Sequence, residues 1–287
     1  MFLRLAFALV VSLAPVPGAL AGEKPAAAVA DGGQWVYVDT AAIPAGLRHV
    51  SHEAVFKKYA GGYNLAVLKA IDKVQAHAMD GGGYFIGLKA VPPESPIGYP
   101  LKLFGKALLV PPRASSYCSG STYGVLIEAL DLIFPKGAAK LSPERREALR
   151  MQEPDGARRE DGVKFWGKWN ADGWGSNYAL TQYSAMGEDI PPKLARPGDF
   201  MNVSWKSGKG HSVVFLGWFL DGAGKRGMVY WSSQPGTNGF SDVLCPLSGV
   251  ESVKIVRLTH PENIFSFDVN KRVKTDISGD VPEAAAD

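Results

Sequence analysis

The 287-residue chain has only 2 cysteines and 5 histidines. Two thiols do not make a disulfide framework, and neither has a second thiol or a histidine at zinc-ligand spacing. His49 and His52 lie three apart without a third ligand nearby and are read as surface histidines on a helix. Charge is sparse as well: 31 Lys and Arg stand against 28 Asp and Glu, a net of +3, and no basic block forms. A nucleic acid or other polyanion is therefore not an expected partner. Beyond the first residues no run is apolar and long enough to span a bilayer. The glycines of Asp80-Gly81-Gly82-Gly83 lack the Lys-Ser/Thr continuation of a phosphate loop, and no metal or organic cofactor is implied.

At the N-terminus, Arg4 precedes an apolar run from Leu5 to Leu13 and a small-residue site, Ala19-Leu20-Ala21. That is the pattern of a secretory signal over 1–21, cut after Ala21. The expectation is an exported protein, secreted or periplasmic, off the membrane once the signal is removed. No cysteine follows the cut, which argues against a lipid anchor. Export permits disulfides, so a Cys118–Cys245 bond is the alternative to a reactive thiol. Residues 22–33 are Ala- and Gly-rich and read as a flexible lead-in. A single domain is expected over 34–270 with an insertion at about 136–180, then a disordered acidic tail over 271–287, the whole a monomer.

Hydrophobic periodicity orders this domain. Trp35–Val38 reads as a short strand. Asn64–Met79 carries apolar residues at Leu65, Leu68, Ile71, Val74 and Met79, the spacing of an amphipathic helix ended by the glycines. Tyr84–Leu88 and Leu101–Val110 are strand-like. Thr122–Phe134 is apolar nearly all round, which predicts a buried helix stopped by Pro135 and Gly137. A short charged helix is expected after Ser142-Pro143. From Pro197 onward the pattern turns to strands: Phe200–Trp205, His211–Leu220, a turn at Asp221–Gly224, then Met228–Ser233, Val253–Leu258 and Ile264–Val269. Helices followed by antiparallel strands make an α+β fold.

The chemistry gathers at Ser116-Tyr117-Cys118-Ser119-Gly120. A thiol attacks as thiolate, and its ordinary pKa of about 8.5 falls at a helix N-terminus or beside an imidazolium. Cys118 sits where the buried helix begins, among small polar residues that let a carbonyl approach, with backbone amides at hand for an oxyanion. Of the histidines only His211 begins an apolar strand, in Gly210-His211-Ser212-Val213-Val214, and it is the candidate base. Gln234 is the first choice to orient it, ahead of Ser232, Ser233 and Asn238, although turn polarity accounts for Ser232–Gly239 equally well. Asp199, in Arg196-Pro197-Gly198-Asp199, is read as the polar residue of a turn entering a strand.

These residues resemble the NlpC/P60 cell-wall peptidases of the papain-like superfamily. Cys118-Ser119-Gly120 matches the Cys-Ser-Gly that opens the family's nucleophile helix, with Tyr117 where the family has Asp. Pro197-Gly198-Asp199-Phe200 followed by Gly210-His211 matches its Pro-Gly-Asp-Leu and Gly-His strand, and Gln182–Gly187 its lead-in. The likeness runs from about Asn64 to Leu258. It implies a papain-like core with the nucleophile helix packed on an antiparallel sheet. Cys118 is then the nucleophile, His211 the base and Gln234 the third polar residue, and the reaction is cleavage of an amide in peptidoglycan stem peptides or another peptide substrate. Tyr117, Ser119, Trp174 and Tyr178 are the candidate substrate contacts. Tyr117 has either an oxyanion hydroxyl or plain packing as its role, and the Trp166–Tyr178 aromatics either line a groove or fill the core. The alternatives on the same scaffold are an acyltransferase and a catalytically inactive cell-wall binding module.

Overall fold

The computed structural model describes residues 35–40, 43, 51–86, 97–108, 114–150, 165–166, 175–271, 273 and 278–282. The expected signal segment, the 22–33 lead-in, His49, Trp174 and much of the 136–180 insertion lie outside them. Four α-helices lie before residue 150: α1 His52–Phe56, α2 Asn64–Ala76, α3 Cys118–Ile133 and α4 Pro143–Ala148. A two-stranded hairpin, β1 Lys102–Leu103 and β2 Lys106–Ala107, lies between α2 and α3. Six strands follow: β3 Gly187–Ile190, β4 Phe200–Trp205, β5 Gly210–Leu220, β6 Arg226–Gln234, β7 Gly239–Pro246 and β8 Val250–Leu258. They form one sheet in the order β3-β8-β4-β5-β6-β7, every pairing antiparallel. The α+β expectation is met at this level.

Period-two alternation assigns each strand residue to a face. Val214, Leu216, Val229, Trp231 and Phe240 join α2 and α3 in one apolar layer. Val213, Phe215, Trp218, Met228, Tyr230 and Cys245 pack with Met201 and Val203 in a second layer on the opposite face. Helix α3 has all of Ser119–Leu130 buried, as its all-round apolarity predicts. In α2 the core face is Val67, Leu68, Ala70, Ile71 and Val74. Leu65 and Met79, counted toward that face from spacing, are exposed. Ser142 caps α4 by accepting from the Arg145 N–H at 3.2 Å.

Other expectations are corrected. The 35–38 segment makes only a single bridge, Tyr37 to Trp218, and Tyr84 only one to Ser116. Of the expected strand Leu101–Val110, the part up to Leu108 is a hairpin of two-residue strands, and the last two residues lie outside the described residues. Ile264–Val269 alternates like a strand, but Pro261 opens a 3₁₀ turn over Pro261–Phe265. The 271–287 tail is not wholly detached, because Asp280 and Val253 exchange backbone hydrogen bonds at 2.7 and 2.8 Å.

Asp199 is more than a turn residue. It is fully buried, and Arg257 grips it with two N–H donors at 2.8 Å each. It also accepts from the Arg196 N–H at 2.7 Å and from Asn64 Nδ2 at 2.8 Å. One carboxylate thereby ties the start of α2 to β4 and β8. Gly198 permits this approach, since its φ is +95° and a Cβ there would meet Asn64 at 2.8 Å.

Candidate active site

The start of α3 is wedged against the ends of β5 and β6. Their ladder runs from Leu220↔Arg226 to Val214↔Trp231, with a bulge between Phe215 and Gly217. Past that pair, side chains of the first helical turn take over. Thr122 Oγ1 meets Ser212 Oγ at 2.8 Å, and Ser121 Oγ accepts from the Ser233 N–H at 3.2 Å. Ser116, just before the helix, donates to Ser233 Oγ at 2.8 Å. Trp166, from the insertion, donates Nε1–H to Thr122 at 3.1 Å. Hydroxyls, rather than apolar side chains, hold the helix start on the sheet.

Cys118 is the first residue of α3, after extended Tyr117. Its side chain is half-buried, and the amides of the first turn have no intrahelical partner by helix geometry. Two phenols report on its surroundings. Burial, reinforced by the charge of the Cys118 thiolate, pushes the Tyr84 phenol up to about 12. Burial, then Cys245 and Cys118, push the Tyr230 phenol further up. Both phenols therefore keep their protons at neutral pH and can donate hydrogen bonds. Tyr84 is set in place by its own N–H, which donates to Asn238 Oδ1 at 3.2 Å. It is held also by the pairing of 83–85 with Ser116, through Phe85 N–H to Ser116 O at 2.9 Å and Ser116 N–H to Gly83 O at 3.2 Å. Gly239 allows this approach, for a Cβ on it would lie 1.9 Å from Gly81 O.

His211 lies on the face opposite Ser212 and packs edge-on against Tyr230, ring centroids 5.6 Å apart. Tyr230 thus packs on His211 while its phenol feels the charge of Cys118. Gln234 Nε2 donates to Thr237 Oγ1 at 2.7 Å and to Ser241 O at 3.3 Å, which fixes the orientation of the amide. Its Oε1 is buried without a partner, and so is His211 Nε2. The other orienter candidates are committed elsewhere: Ser232 donates to Ser212 O at 2.7 Å, Ser233 accepts from Ser116, and Asn238 holds Tyr84.

The candidate substrate contacts fare differently. Tyr117 is 3% exposed, and Ser119 is fully enclosed. Tyr178, 1% exposed, belongs to the core beside Tyr183 and Trp166, so it offers no face to a substrate. Trp174 lies outside the described residues.

Cys118 and Cys245 are not bonded to each other. Burial pushes the Cys245 thiol up to about 11, and it donates to Pro246 O at 3.4 Å, the behaviour of an inert core thiol.

Sequence reasoning missed Tyr84, Tyr230 and His52. Far from being a surface residue, His52 is fully buried between two carboxylates, Nδ1 at 2.7 Å from Asp72 and Nε2 at 2.9 Å from Asp242. Burial disfavours its charge, but Asp242 and then Asp72 outweigh that and raise its pKa from 6.5 to about 9. The imidazolium pins α1 to α2 and β7. Among the described residues no group of three His, Cys, Asp or Glu side chains is placed to hold a metal ion, and no helix is long and apolar enough to cross a membrane.

No family model, curated protein or solved structure matches the chain.

Proposed function

We propose that the chain is an exported cysteine amidase or peptidase with an NlpC/P60-like core, acting on an amide of peptidoglycan stem peptides. The observation that carries this reading is the buried His211 Nε2, without a hydrogen-bond partner, on the strand whose Ser212 is bonded to Thr122 of the helix that Cys118 opens. Buried polar atoms are rarely left unpaired, and functional sites are where they are tolerated. With its proton on Nε2, the imidazole offers Nδ1 as the basic nitrogen for the thiol.

In the reaction Nδ1 takes the thiol proton and Cys118 Sγ attacks the substrate carbonyl carbon. The oxyanion is met by first-turn amides and by a protonated phenol, with Tyr84 the better candidate. Collapse of the tetrahedral intermediate breaks the C–N bond, and the imidazolium protonates the leaving amine. The imidazole next takes a proton from water, whose oxygen attacks the thioester. Release of the acid returns the proton to the thiolate.

The reading is tested by acid-quenching the protein with peptide amides and weighing it intact. A mass gain equal to the acyl group, mapped to Cys118, is expected. Absence of an adduct while peptides are still cleaved would contradict thiol catalysis. Transfer of the acyl group to an added amine in place of water would move the assignment to an acyltransferase.

A further inference from the structure

Residues 101–150 carry 8 Lys and Arg against 4 Asp and Glu, a net of +4 in a chain whose whole net is +3. They form no block in the sequence, yet the fold gathers all of the basic ones but Arg113, which lies outside the described residues, around the C-terminal end of α3 and around α4. The β1–β2 hairpin packs there. Its Phe104 N–H donates to Asp131 Oδ1 at 2.7 Å, and the Phe104 ring stacks on Phe265 with centroids 6.0 Å apart. Gly137, just past α3, leaves room for that ring, since a Cβ on it would collide with Phe104. Helix α4 is tied to the same hairpin by arginines that bond carbonyls. Arg146 Nη1 donates to Leu103 O at 2.8 Å, and Arg150 donates to Leu108 O and Ala107 O. Arg145 reaches Phe267 O at 3.0 Å and Ser266 O at 3.3 Å.

The acids of this stretch are turned to other partners. Glu128 is taken by Lys73 at 2.5 Å, Asp131 by the hairpin and Glu147 by Arg150. Lys102, Lys106, Lys136 and Lys140 are exposed, and none makes an ion pair among the described residues. Burial and then the like charge of Arg150 lower the Arg146 pKa from its ordinary value, a sign of positive charge crowded together. Each of the three guanidiniums has given part of its fork to a carbonyl, so the flat two-pronged fit to a carboxylate is broken. The tetrahedral oxygens of a phosphate accept donors that arrive from separate directions. Leu132 is the one exposed large apolar residue among those described in the stretch, too little to anchor in a bilayer. We propose that this face binds a flexible polymer bearing phosphodiester charges. Cys118 lies at the far end of α3, about 22 Å along the helix axis, so a chain held this way keeps that end clear of the polymer. The inference goes beyond the amidase reading and does not rest on it.

The full chain is titrated calorimetrically with a poly(glycerol phosphate) decamer, a phosphodiester polymer with no base or apolar group. Binding is expected to weaken steeply between about 50 and about 300 mM salt. The variant Lys102→Gln/Lys106→Gln/Lys136→Gln/Lys140→Gln is expected to bind about ten-fold more weakly than wild type at the lower salt. Lys57→Gln/Lys58→Gln/Lys193→Gln/Lys225→Gln removes the same charge from exposed positions elsewhere and is expected to stay within about two-fold of wild type. Urea midpoints check that both variants fold. If the first does not, its Lys102/Lys106 and Lys136/Lys140 halves are each expected to lose about three-fold. Equal weakening in the two four-lysine variants assigns binding to net charge alone and overturns the proposal. So do absence of binding, a polyglutamate of equal charge that binds as tightly, and a thymidine decanucleotide that binds more tightly. Sedimentation of the protein with phosphatidylglycerol vesicles, lost in the first variant, while the decamer does not bind, would make the face a membrane contact instead. The titration reads binding alone, so its failure leaves the thiol reading standing.

Discussion

Thr122 and Ser212 meet hydroxyl to hydroxyl at 2.8 Å, one four residues past Cys118 and the other next to His211. The contact links the candidate nucleophile's helix to the candidate base's strand through two buried side chains. Thr122→Val keeps the shape but strands Ser212 Oγ and Trp166 Nε1–H. A loss of about 1–3 kcal/mol is expected in urea denaturation, with kcat falling more than KM rises. Thr122→Ser is expected to restore both.

His211 and Gln234 divide the labour in the proposed mechanism. His211→Ala removes the proton carrier and is expected to cost about 10²- to 10⁴-fold in kcat. Gln234→Ala leaves the ring present but unaimed, and about a 10- to 100-fold loss is expected in steady-state kinetics with KM little changed. Equal rates for wild type and Gln234→Ala would assign Gln234 to the turn alone.

The two thiols are expected to react very differently with iodoacetamide. Cys118 is half-buried at the site mouth, whereas the Cys245 thiol is buried and held up near 11. At pH 8 mass spectrometry should find one alkyl group, on Cys118, until denaturant admits the second. Modification of Cys245 in the folded protein would contradict its place in the second apolar layer.

The buried His52 clamp predicts an alkaline loss of stability. Its folded pKa, about 9, lies above the ordinary 6.5, so the folded state binds the proton more tightly than the unfolded chain. The stabilisation is full below about pH 6.5 and is lost as pH rises through about 9. Urea midpoints measured from pH 6 to 10 should fall across that window. His52→Gln should be less stable at pH 6 by about 3–5 kcal/mol, since Asp242 then stays buried without its cation, and its midpoint should vary less with pH.

Much of the site's scaffold is legible in local pattern. The apolarity of 122–134 announces α3, though the helix begins four residues earlier because Cys118–Ser121 are small and polar and carry no apolar signal. The β5–turn–β6 hairpin follows from alternation and Asp221–Gly224. Strand β7 was hidden because Ser241 and Asp242 break its alternation, and both are buried for polar reasons, Asp242 to meet His52. His52 itself could not be placed from sequence, since its partners lie 20 and 190 positions away. Asp199 is similar: Pro-Gly-Asp reads as a turn, and only the fold brings Arg257 to it. Tyr84 and Tyr230 look like ordinary strand aromatics, and their nearness to Cys118 is a product of tertiary packing.

The measurement that bears most directly on the central claim is a digest of purified peptidoglycan with the wild-type chain and with Cys118→Ala, read by mass spectrometry of the released fragments. Thiol catalysis at Cys118 predicts new fragments from wild type, with the mass of a hydrolysed amide, and none from the variant. Fragments from both proteins would contradict Cys118 as nucleophile, and fragments from neither, with both folded, would contradict peptidoglycan as the substrate.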